Sequence, residues 1–342
     1  MNFTTSKREF FETLQKVIGV VPQKTTISIL TCVLMDLDGD KLQLTGTDME
    51  ISITTSLQVS GQDNGSVAIP AKILLEIVRE LPDVPLSIST DSGNKLILKT
   101  EKGEYKIATQ PKEDFPKINV EEGELSFAIE SALLNRMVEK TIFAVSMDEL
   151  RPALTGINIE LYPNEIRLVS TDGHRLAKVA KSNFPIKKDI RKNLIVPTKT
   201  MNLLLKNQQD KPVKIQIGED HVVFHMENAV VYSKLINGTF PNYDRVLPKD
   251  NDKELRVNRD LLIAALRRVS IFSSSLTHQV RLILSNTETT IRSEDIEFGA
   301  EAKETIPSQF SAEWLQIGYN SNYLMDVDRK STRLNSSHGK LS

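Results

Sequence analysis

The chain has 342 residues, of which 39% are hydrophobic and 26% charged, and its formal net charge is −2. These values are typical of a soluble globular protein, and no apolar run approaches the ~18 residues of a membrane helix. A slightly acidic chain is not a generally basic nucleic-acid binder, although its basic residues can still gather on one surface. The N-terminus lacks the apolar stretch of a signal peptide, so we expect a cytoplasmic protein.

Helices and strands alternate from the start of the chain. We predict helices at 6–18 and 71–81. We predict strands at 2–5, 30–37, 41–46, 51–59, 66–69, 86–89, 95–100 and 104–109. Ser6, followed by Glu9, forms a capping box at the first helix, and Pro82 ends the second. Asp38-Gly39-Asp40 is a typical hairpin turn between the second and third strands.

This arrangement occurs three times. Similar strand pairs end at Asp48, Asp172 and Asp295, which lie 124 and 123 residues apart. Such a period is too long for a solenoid repeat and is the size of a domain. The sequence therefore predicts an α+β protein of three tandem copies, with domains at 1–122, 123–252 and 253–330.

Copies two and three repeat the helices of copy one. In copy two, helices are predicted near 131–143 and 199–207, and "LIVPTKTMNLLL" (194–205) matches "VAIPAKILLEIV" (67–78). In copy three, the second helix begins near Asn322, and the match then stops. We expect copy three to be incomplete, with no strands after this helix. Residues 331–342 are expected to be a tail foreign to the repeat, with a natural disordered tail as the alternative.

Basic residues recur opposite the apolar stripes of these helices on a helical wheel. They are Lys16, Arg136 and Arg267 on the first helices and Lys72, Arg79, Lys199 and Lys206 on the second. Ordinary solvated lysines are the alternative, and Glu139 does share the outer face with Arg136. If the helices face a common axis, these residues form a basic lining that attracts phosphates without reading sequence.

Evidence for catalysis is weak. Asp172 and His174 could form an acid–base pair or begin a metal site, but no second histidine follows at ligand spacing. No Gly-rich phosphate loop or nucleophile elbow is present. Cys32 is the only cysteine and lies in an apolar strand, which indicates a buried structural thiol. We predict no catalytic residues, metal or cofactor. A three-domain scaffold that does not bind DNA remains the other alternative.

The repeats, together with "LTGTD", "STDGHRLA" and "FPNYDRVLP", resemble the bacterial DNA polymerase III beta subunit, the replicative sliding clamp. The resemblance covers residues 1 to about 327. It implies a head-to-tail homodimer that closes into a ring around duplex DNA, with helices lining the hole and sheets outside. Its implied partners are the replicative polymerase, the clamp loader and other proteins with a clamp-binding motif. No membrane is implied.

The resemblance also assigns site residues. A pocket for partner peptides is implied at Leu154, Thr171, Gly173, His174, Arg175, Leu176, Pro241, Arg245 and Val246. The family adds C-terminal pocket residues near a Met-Pro-x-x-Leu-like sequence, which does not occur here. Lys24 is implied as a DNA contact in the loop after the first helix.

The subunit contact is implied at Tyr105, on the edge strand of domain one, and at Ile271 and Phe272, at a helix end in domain three. Two apolar side chains at a helix end are unusual on a monomer surface. Their alternative role is to cover the core of their own domain.

Overall fold

The structure is a computed structural model that describes residues 1–117, 125–186, 190–207, 209–248, 250–329 and 338–341. The α-helices in this part of the chain are α1 Lys7–Ile18, α2 Ala71–Glu80, α3 Ser131–Glu139, α4 Thr198–Lys206, α5 Arg259–Val269 and α6 Ser321–Arg329. None of these described helices is both long and apolar enough to cross a membrane. The chain divides into two compact units, Met1–Phe240 and Pro241–Ser342.

The strands follow the repeat. Copy one contains β1 Asn2–Ser6, β2 Cys32–Asp38, β3 Lys41–Thr47, β4 Ile51–Gln58, β5 Ser60–Asp63, β6 Gly65–Pro70, β7 Pro85–Thr90, β8 Lys95–Lys99 and β9 Glu104–Ala108. Copy two contains β10 Leu125–Ile129, β11 Gly156–Tyr162, β12 Glu165–Thr171, β13 Leu176–Ser182, β14 Lys192–Pro197, β15 Val213–Ile217, β16 His221–His225 and β17 Ala229–Lys234. Copy three contains β18 Leu255–Asn258, β19 Gln279–Ser285, β20 Glu288–Asp295, β21 Ala300–Phe310, β22 Trp314–Asn320 and β23 His338–Leu341.

The first helix forms for the reasons its sequence suggests. Ser6 Oγ accepts a hydrogen bond from the backbone N–H of Glu9 (3.3 Å), which confirms the predicted cap. Phe10, Leu14 and Val17 recur at helical spacing and are fully buried. The helix therefore packs one stripe into the core and leaves its other side for charged residues.

Copies one and two share a single sheet. The eight-stranded sheet has the order β10-β15-β16-β17-β4-β3-β2-β6, and β17 pairs antiparallel with β4, with Val231 opposite Ile53. A five-stranded sheet, β5-β1-β7-β8-β9, and a four-stranded sheet, β13-β12-β11-β14, complete this unit. Because the sheet and the core continue across the junction, the first compact unit contains both copies.

The second unit contains copy three and a six-stranded sheet in the order β22-β19-β20-β21-β18-β23. Its core includes Leu266, Ile291 and Phe310. β23 pairs antiparallel with β18, as β7 pairs with β1 in copy one. The prediction that no strand follows the second helix of copy three is therefore wrong, because His338–Leu341 supplies one.

Several predicted boundaries differ from the observed ones. The strand predicted at 30–37 begins at Cys32, because Ser28–Thr31 is a 3-10 helix. The helix predicted at 131–143 ends at Glu139, and a separate 3-10 turn, Ile142–Ala144, follows. Cys32 is buried as predicted, and its burial raises the pKa of the thiol. This thiol has the character of a core side chain, not of a nucleophile.

Candidate functional site

The hairpin between β12 and β13 positions the central residues of the predicted pocket. Asp172 Oδ1 accepts hydrogen bonds from the backbone N–H groups of His174 (2.9 Å) and Arg175 (3.0 Å). Thr171 Oγ1 donates to the carbonyl of Arg175 (2.6 Å) and accepts from Gly173 N–H (3.0 Å). Gly173 has φ +92°, a conformation that favours glycine. The Thr-Asp pair therefore holds the turn rigid and leaves His174 exposed.

The same turn occurs in copy one. Asp48 Oδ1 accepts from Glu50 N–H (3.1 Å) and Ile51 N–H (2.8 Å), and Thr47 Oγ1 donates to the carbonyl of Ile51 (3.0 Å). In copy three, Asp295 Oδ1 accepts from Glu297 N–H (3.0 Å). The three aspartates that mark the repeat are therefore turn-forming residues. The Asp172 carboxylate is used by the backbone, which explains its presence without catalysis.

Arg175 is held beside this turn. Its Nε donates to Asp172 Oδ2 (3.1 Å), and its guanidinium lies 5.5 Å from the centroid of the Phe143 ring. Leu154 is buried at the end of the 3-10 helix Pro152–Leu154, and Leu176 is half-buried at the start of β13. In the first unit, the predicted pocket thus combines partly covered apolar side chains with a fixed cation.

Three predicted pocket residues belong to the second unit. Pro241, Arg245 and Val246 are all exposed. Buried Tyr243 anchors the 3-10 helix Tyr243–Arg245, and its carbonyl accepts from Val246 N–H (3.0 Å). This local fold leaves Val246 one of the more exposed large apolar side chains in the part of the chain that the structure describes.

The basic residues predicted to contact DNA are mostly solvent-facing. Exposed members of the set are Lys24, Lys72, Arg79, Arg136, Lys199, Lys206 and Arg267, whereas Lys16 is half-buried. The buried stripes of their helices lie on the opposite side, as the helical wheel predicts. Lys72 also lies 4.0 Å from Glu76 on its own helix, a weak surface pair.

Lys199 differs from the other basic residues. Its Nζ donates to Asp48 Oδ2 (2.5 Å) and to the carbonyl of Val20 (3.1 Å), both in copy one. Nearby, a β-carbon added at Gly19 would lie 2.9 Å from Leu203, so the end of α1 packs closely against α4. Lys199 therefore connects copies one and two, a contact that the helical wheel could not predict.

The three residues predicted for the subunit contact are all exposed, but to different extents. Tyr105 is 37% exposed on β9, the last strand of its sheet. Ile271 is 78% exposed and Phe272 39% exposed, both in the 3-10 helix Ser270–Phe272 that follows α5. Neither belongs to the buried core of the second unit. This exposure does not support the alternative in which they cover that core.

Charged residues beside Tyr105 were not predicted as part of a site. Glu104 binds Lys106 (2.9 Å) and Lys99 (3.0 Å), and these partners lower the pKa of its carboxyl. On β21, Glu301 binds Arg292 of the neighbouring β20 (3.1 Å), and Lys303 is exposed. Alternation of Glu and Lys on β9 and at the start of β21 is the signal that could have identified them.

Comparisons with known proteins cover almost the whole chain. Profiles of the DNA polymerase III beta subunit match residues 1–119 (N-terminal domain), 128–242 (central domain) and 244–331 (C-terminal domain). The beta sliding clamp of Haemophilus influenzae is 33% identical over 331 residues, which are 96% of this chain and 89% of that protein. The beta sliding clamp of Pseudomonas putida is 35% identical with the same coverage, and that of Escherichia coli 31%.

Solved structures of sliding clamps superpose closely on this chain. The DNA polymerase III subunit beta from Pseudomonas aeruginosa superposes with a TM-score of 0.91 at 33% identity, covering 99% of this chain and 92% of that one. A sliding clamp from the same organism bound to griselimycin has a TM-score of 0.93 at 33% identity, covering 100% and 93%. The Bacillus subtilis DNA polymerase sliding clamp has a TM-score of 0.91 at 28% identity, covering 99% and 92%.

Proposed function

We infer residue roles from one premise: the chain belongs to the DNA polymerase III beta subunit family, the beta sliding clamps. It is a non-catalytic processivity subunit of the DNA polymerase III holoenzyme, and as a homodimer it encircles duplex DNA and docks other replication and repair proteins. Its function is topological. A closed ring cannot dissociate sideways, so weak phosphate contacts permit sliding while closure gives processivity. We expect it to act in the cytoplasm, where a clamp loader opens it.

The exposed basic helix faces are the proposed DNA contact. The observation that carries this proposal is the recurrence of exposed cations opposite buried stripes in helices of all three copies. Arg79, Arg136, Lys206 and Arg267 are the strongest candidates, with Lys24, Lys72 and Lys16 beside them. Lys199 contributes less to DNA, because its ammonium is held by Asp48.

Charge reversal tests this assignment. Arg79→Glu, Arg136→Glu and Lys206→Glu together should weaken retention on closed circular DNA, and each lost phosphate contact should reduce the salt slope by about 0.9. Lys214→Glu, at an exposed side chain of strand β15, is the control and should leave the slope unchanged. Retention that is the same for both variants, or equal on linear and circular duplex, would refute the assignment.

The pocket is the proposed docking site for partner peptides. Leu154, Leu176, Pro241 and Val246 would hold apolar anchor side chains, and Thr171, Gly173, His174, Arg175 and Arg245 would frame them. The rigid Asp172 turn supports this role, because a preorganised rim loses little entropy on binding. Leu176→Glu with Val246→Glu should abolish the binding of polymerase and loader peptides. Met147→Glu, on an exposed loop, should not.

The internal junction suggests how the subunits close. In that junction, β17 pairs with β4 so that Ala229 lies opposite Thr55 and Ser233 opposite Ile51. The hairpin registers make β9 the counterpart of β17 and β21 the counterpart of β4. Transferring the same pairing to two subunits places Glu104 opposite Lys303 and Lys106 opposite Glu301 of the partner subunit. Both pairs carry opposite charges, which supports this register.

On the other face of this proposed ladder, Tyr105 lies opposite Ala302, close to the 3-10 helix that carries Ile271 and Phe272. The three exposed apolar side chains would then cover one another. Lys72 is the counterpart of Lys199, because Pro70 and Pro197 take the same register position in their sheets. By the same equivalence Lys72 would bind Asp295 across the subunit contact, as Lys199 binds Asp48.

A further inference from the structure

The outer edge of β6 in copy one is covered by the segment that follows β9. Gln110 N–H donates to the carbonyl of Ala68 (2.8 Å), and Ala68 N–H donates to the carbonyl of Gln110 (3.0 Å), which forms an antiparallel bridge. Five residues further on, Phe115 is buried in a small cluster that includes Ile29 and Cys32. The segment therefore covers this edge with one backbone pair and one aromatic side chain.

Copy two covers the equivalent edge in the same way. Ile195 of β14 holds the register position that Ala68 holds in β6. In the segment that follows β17, Ile236 N–H donates to the carbonyl of Ile195 (2.9 Å). Two residues later, a β-carbon added at Gly238 would lie 3.3 Å from the β-carbon of Ala153, so the segment lies against the start of the copy-two hairpin. The same covering segment is thus present in two of the three copies.

In copy three the corresponding edge belongs to β22, and it is uncovered. β22 is an outer strand of its sheet, and no strand in the described part of the chain pairs with its outer side. Ser321 N–H donates to the carbonyl of His278 (2.9 Å). Because bonded and non-bonded pairs alternate along an antiparallel ladder, the backbone groups of Gly318 and Gln316 point away from β19. A β-carbon added at Gly318 would meet only the flexible end of Gln279, so the edge is open to an added strand.

The side chains beside this edge match those beneath Phe115 in position but not in exposure. Leu276 precedes β19 by three residues, as Ile29 precedes β2, yet Leu276 is 88% exposed and Ile29 only 7%. Arg281 holds the position of Leu34, which packs on the Phe115 cluster, and the Arg281 side chain is 43% exposed. An aromatic ring placed like that of Phe115 would cover Leu276 and stack on the Arg281 guanidinium.

We propose that the outer edge of β22 binds an extended segment of a partner protein, which pairs antiparallel with Gly318 and places an aromatic side chain on Leu276 and Arg281. Main-chain hydrogen bonds to the sheet edge give affinity, and the aromatic side chain gives specificity. This surface shares no residue with those proposed above for DNA, for the peptide pocket or for the subunit contact.

The covering segments of copies one and two define the chemistry of this partner. In each, a phenylalanine, Phe115 or Phe240, follows the paired residue by five or four positions and precedes a proline. A second copy of the chain cannot supply the segment, because its residues 110–115 already cover β6 of their own copy. The occupant is therefore an extended peptide of another protein, with an aromatic residue four or five positions after the residue that pairs.

The direct test uses a synthetic peptide with the sequence of residues 107–117, IATQPKEDFPK, as the probe. Added to the full-length protein, it should bind saturably and slow hydrogen exchange in residues 314–320. The peptide with alanine in place of phenylalanine, and the peptide N-methylated at glutamine, should each bind about tenfold more weakly, since each loses one of the two contacts. Absent binding, or equal binding of all three peptides, would overturn the proposal. So would an exchange change at Ala68 instead, because the probe would then only replace its own segment in copy one.

Variants of the protein locate the contact. Leu276→Asp should weaken binding of the probe about tenfold, because a charge then lies where the aromatic ring is to pack, and Arg281→Ser should weaken it a few-fold. Met147→Asp, at a side chain that is 96% exposed in the first unit, is the control and should bind normally. Circular dichroism and sedimentation check that folding and dimerisation are unchanged. Normal binding by folded Leu276→Asp would show that the peptide does not use this edge.

Discussion

Two strand edges can be compared. At the junction, the edge of β17 pairs with β4 of the same chain, whereas the outer edge of β9 has no described strand beside it in its sheet. In the junction, Val231 and Ile53 are fully buried, and the strands are always paired because one chain carries both. On β9, Glu104, Tyr105 and Lys106 are exposed. A permanently paired edge can be apolar, whereas an edge that opens and closes must stay soluble and select its partner, which charged residues achieve.

The largest expected effect is on the apolar side chains proposed to meet Tyr105 of β9 across the subunit contact. Ile271→Ala with Phe272→Ala should remove side chains of the proposed subunit contact, at a cost of about 4 kcal/mol, or about a thousandfold in the dimer dissociation constant. Sedimentation equilibrium should show monomers at micromolar concentration. Leu276→Ala, which truncates another exposed side chain of the same unit, should leave the dimer intact. A double variant that remains dimeric at nanomolar concentration would place the contact elsewhere.

The second effect tests the register of the same edge. Glu104→Lys with Lys106→Glu should weaken the dimer by about 10- to 100-fold, because like charges then face one another across the strands. Adding Glu301→Lys and Lys303→Glu to the same chain should restore it, since every pair is again complementary. The charges are defined at neutral pH, where Lys106 and Lys99 keep the pKa of the Glu104 carboxyl low. Failure of the fourfold variant to recover would exclude this register.

A smaller effect distinguishes the Lys199–Asp48 ion pair, which lies within one chain, from the proposed Lys72–Asp295 pair between subunits. Asp48→Asn keeps the turn acceptor but loses the charge that binds Lys199, so the free energy of unfolding should fall by about 0.5–1 kcal/mol with dimerisation unchanged. Asp295→Asn should do the opposite: folding is preserved and the dimer weakens a few-fold, because the proposed ion pair with Lys72 of the partner subunit loses its carboxylate. Urea titrations and sedimentation at two salt concentrations measure both. If Asp295→Asn does not weaken the dimer, Lys72 does not bind Asp295 of the partner subunit, and DNA contact remains its only proposed role.

Local sequence patterns predicted most helices and strands of this protein. The stripe of Phe10, Leu14 and Val17 located the first helix, and the spacing of Asp48, Asp172 and Asp295 located the repeat, because periodicity and turn chemistry act over a few residues. The candidate pocket was predicted from motifs, and its turn is now explained by the Thr-Asp hydrogen bonds.

What could not be predicted depends on distant contacts. The pairing of β17 with β4 joins segments far apart in sequence, and nothing in either strand alone specifies the other. Lys199 binds Asp48 from 151 residues away, so its helical-wheel position identified an outward direction but not a partner. The strand at His338–Leu341 was missed because its short, polar sequence lacks an apolar alternation.

The smallest expected effect concerns backbone strain at the two turns. Met49 holds φ +81° in copy one where Gly173 holds +92° in copy two. A non-glycine residue is strained there, and the Met49 side chain is exposed, so Met49→Gly should raise the free energy of unfolding by about 0.5 kcal/mol, while Met49→Ala should not. Conversely, Gly173→Ala should lower it by about 1 kcal/mol, since the added β-carbon would meet only the flexible end of Arg151 and the cost is conformational. Urea denaturation of the three variants measures these differences. A loss of stability in Met49→Gly would mean that the Met49 side chain makes contacts that outweigh its strain.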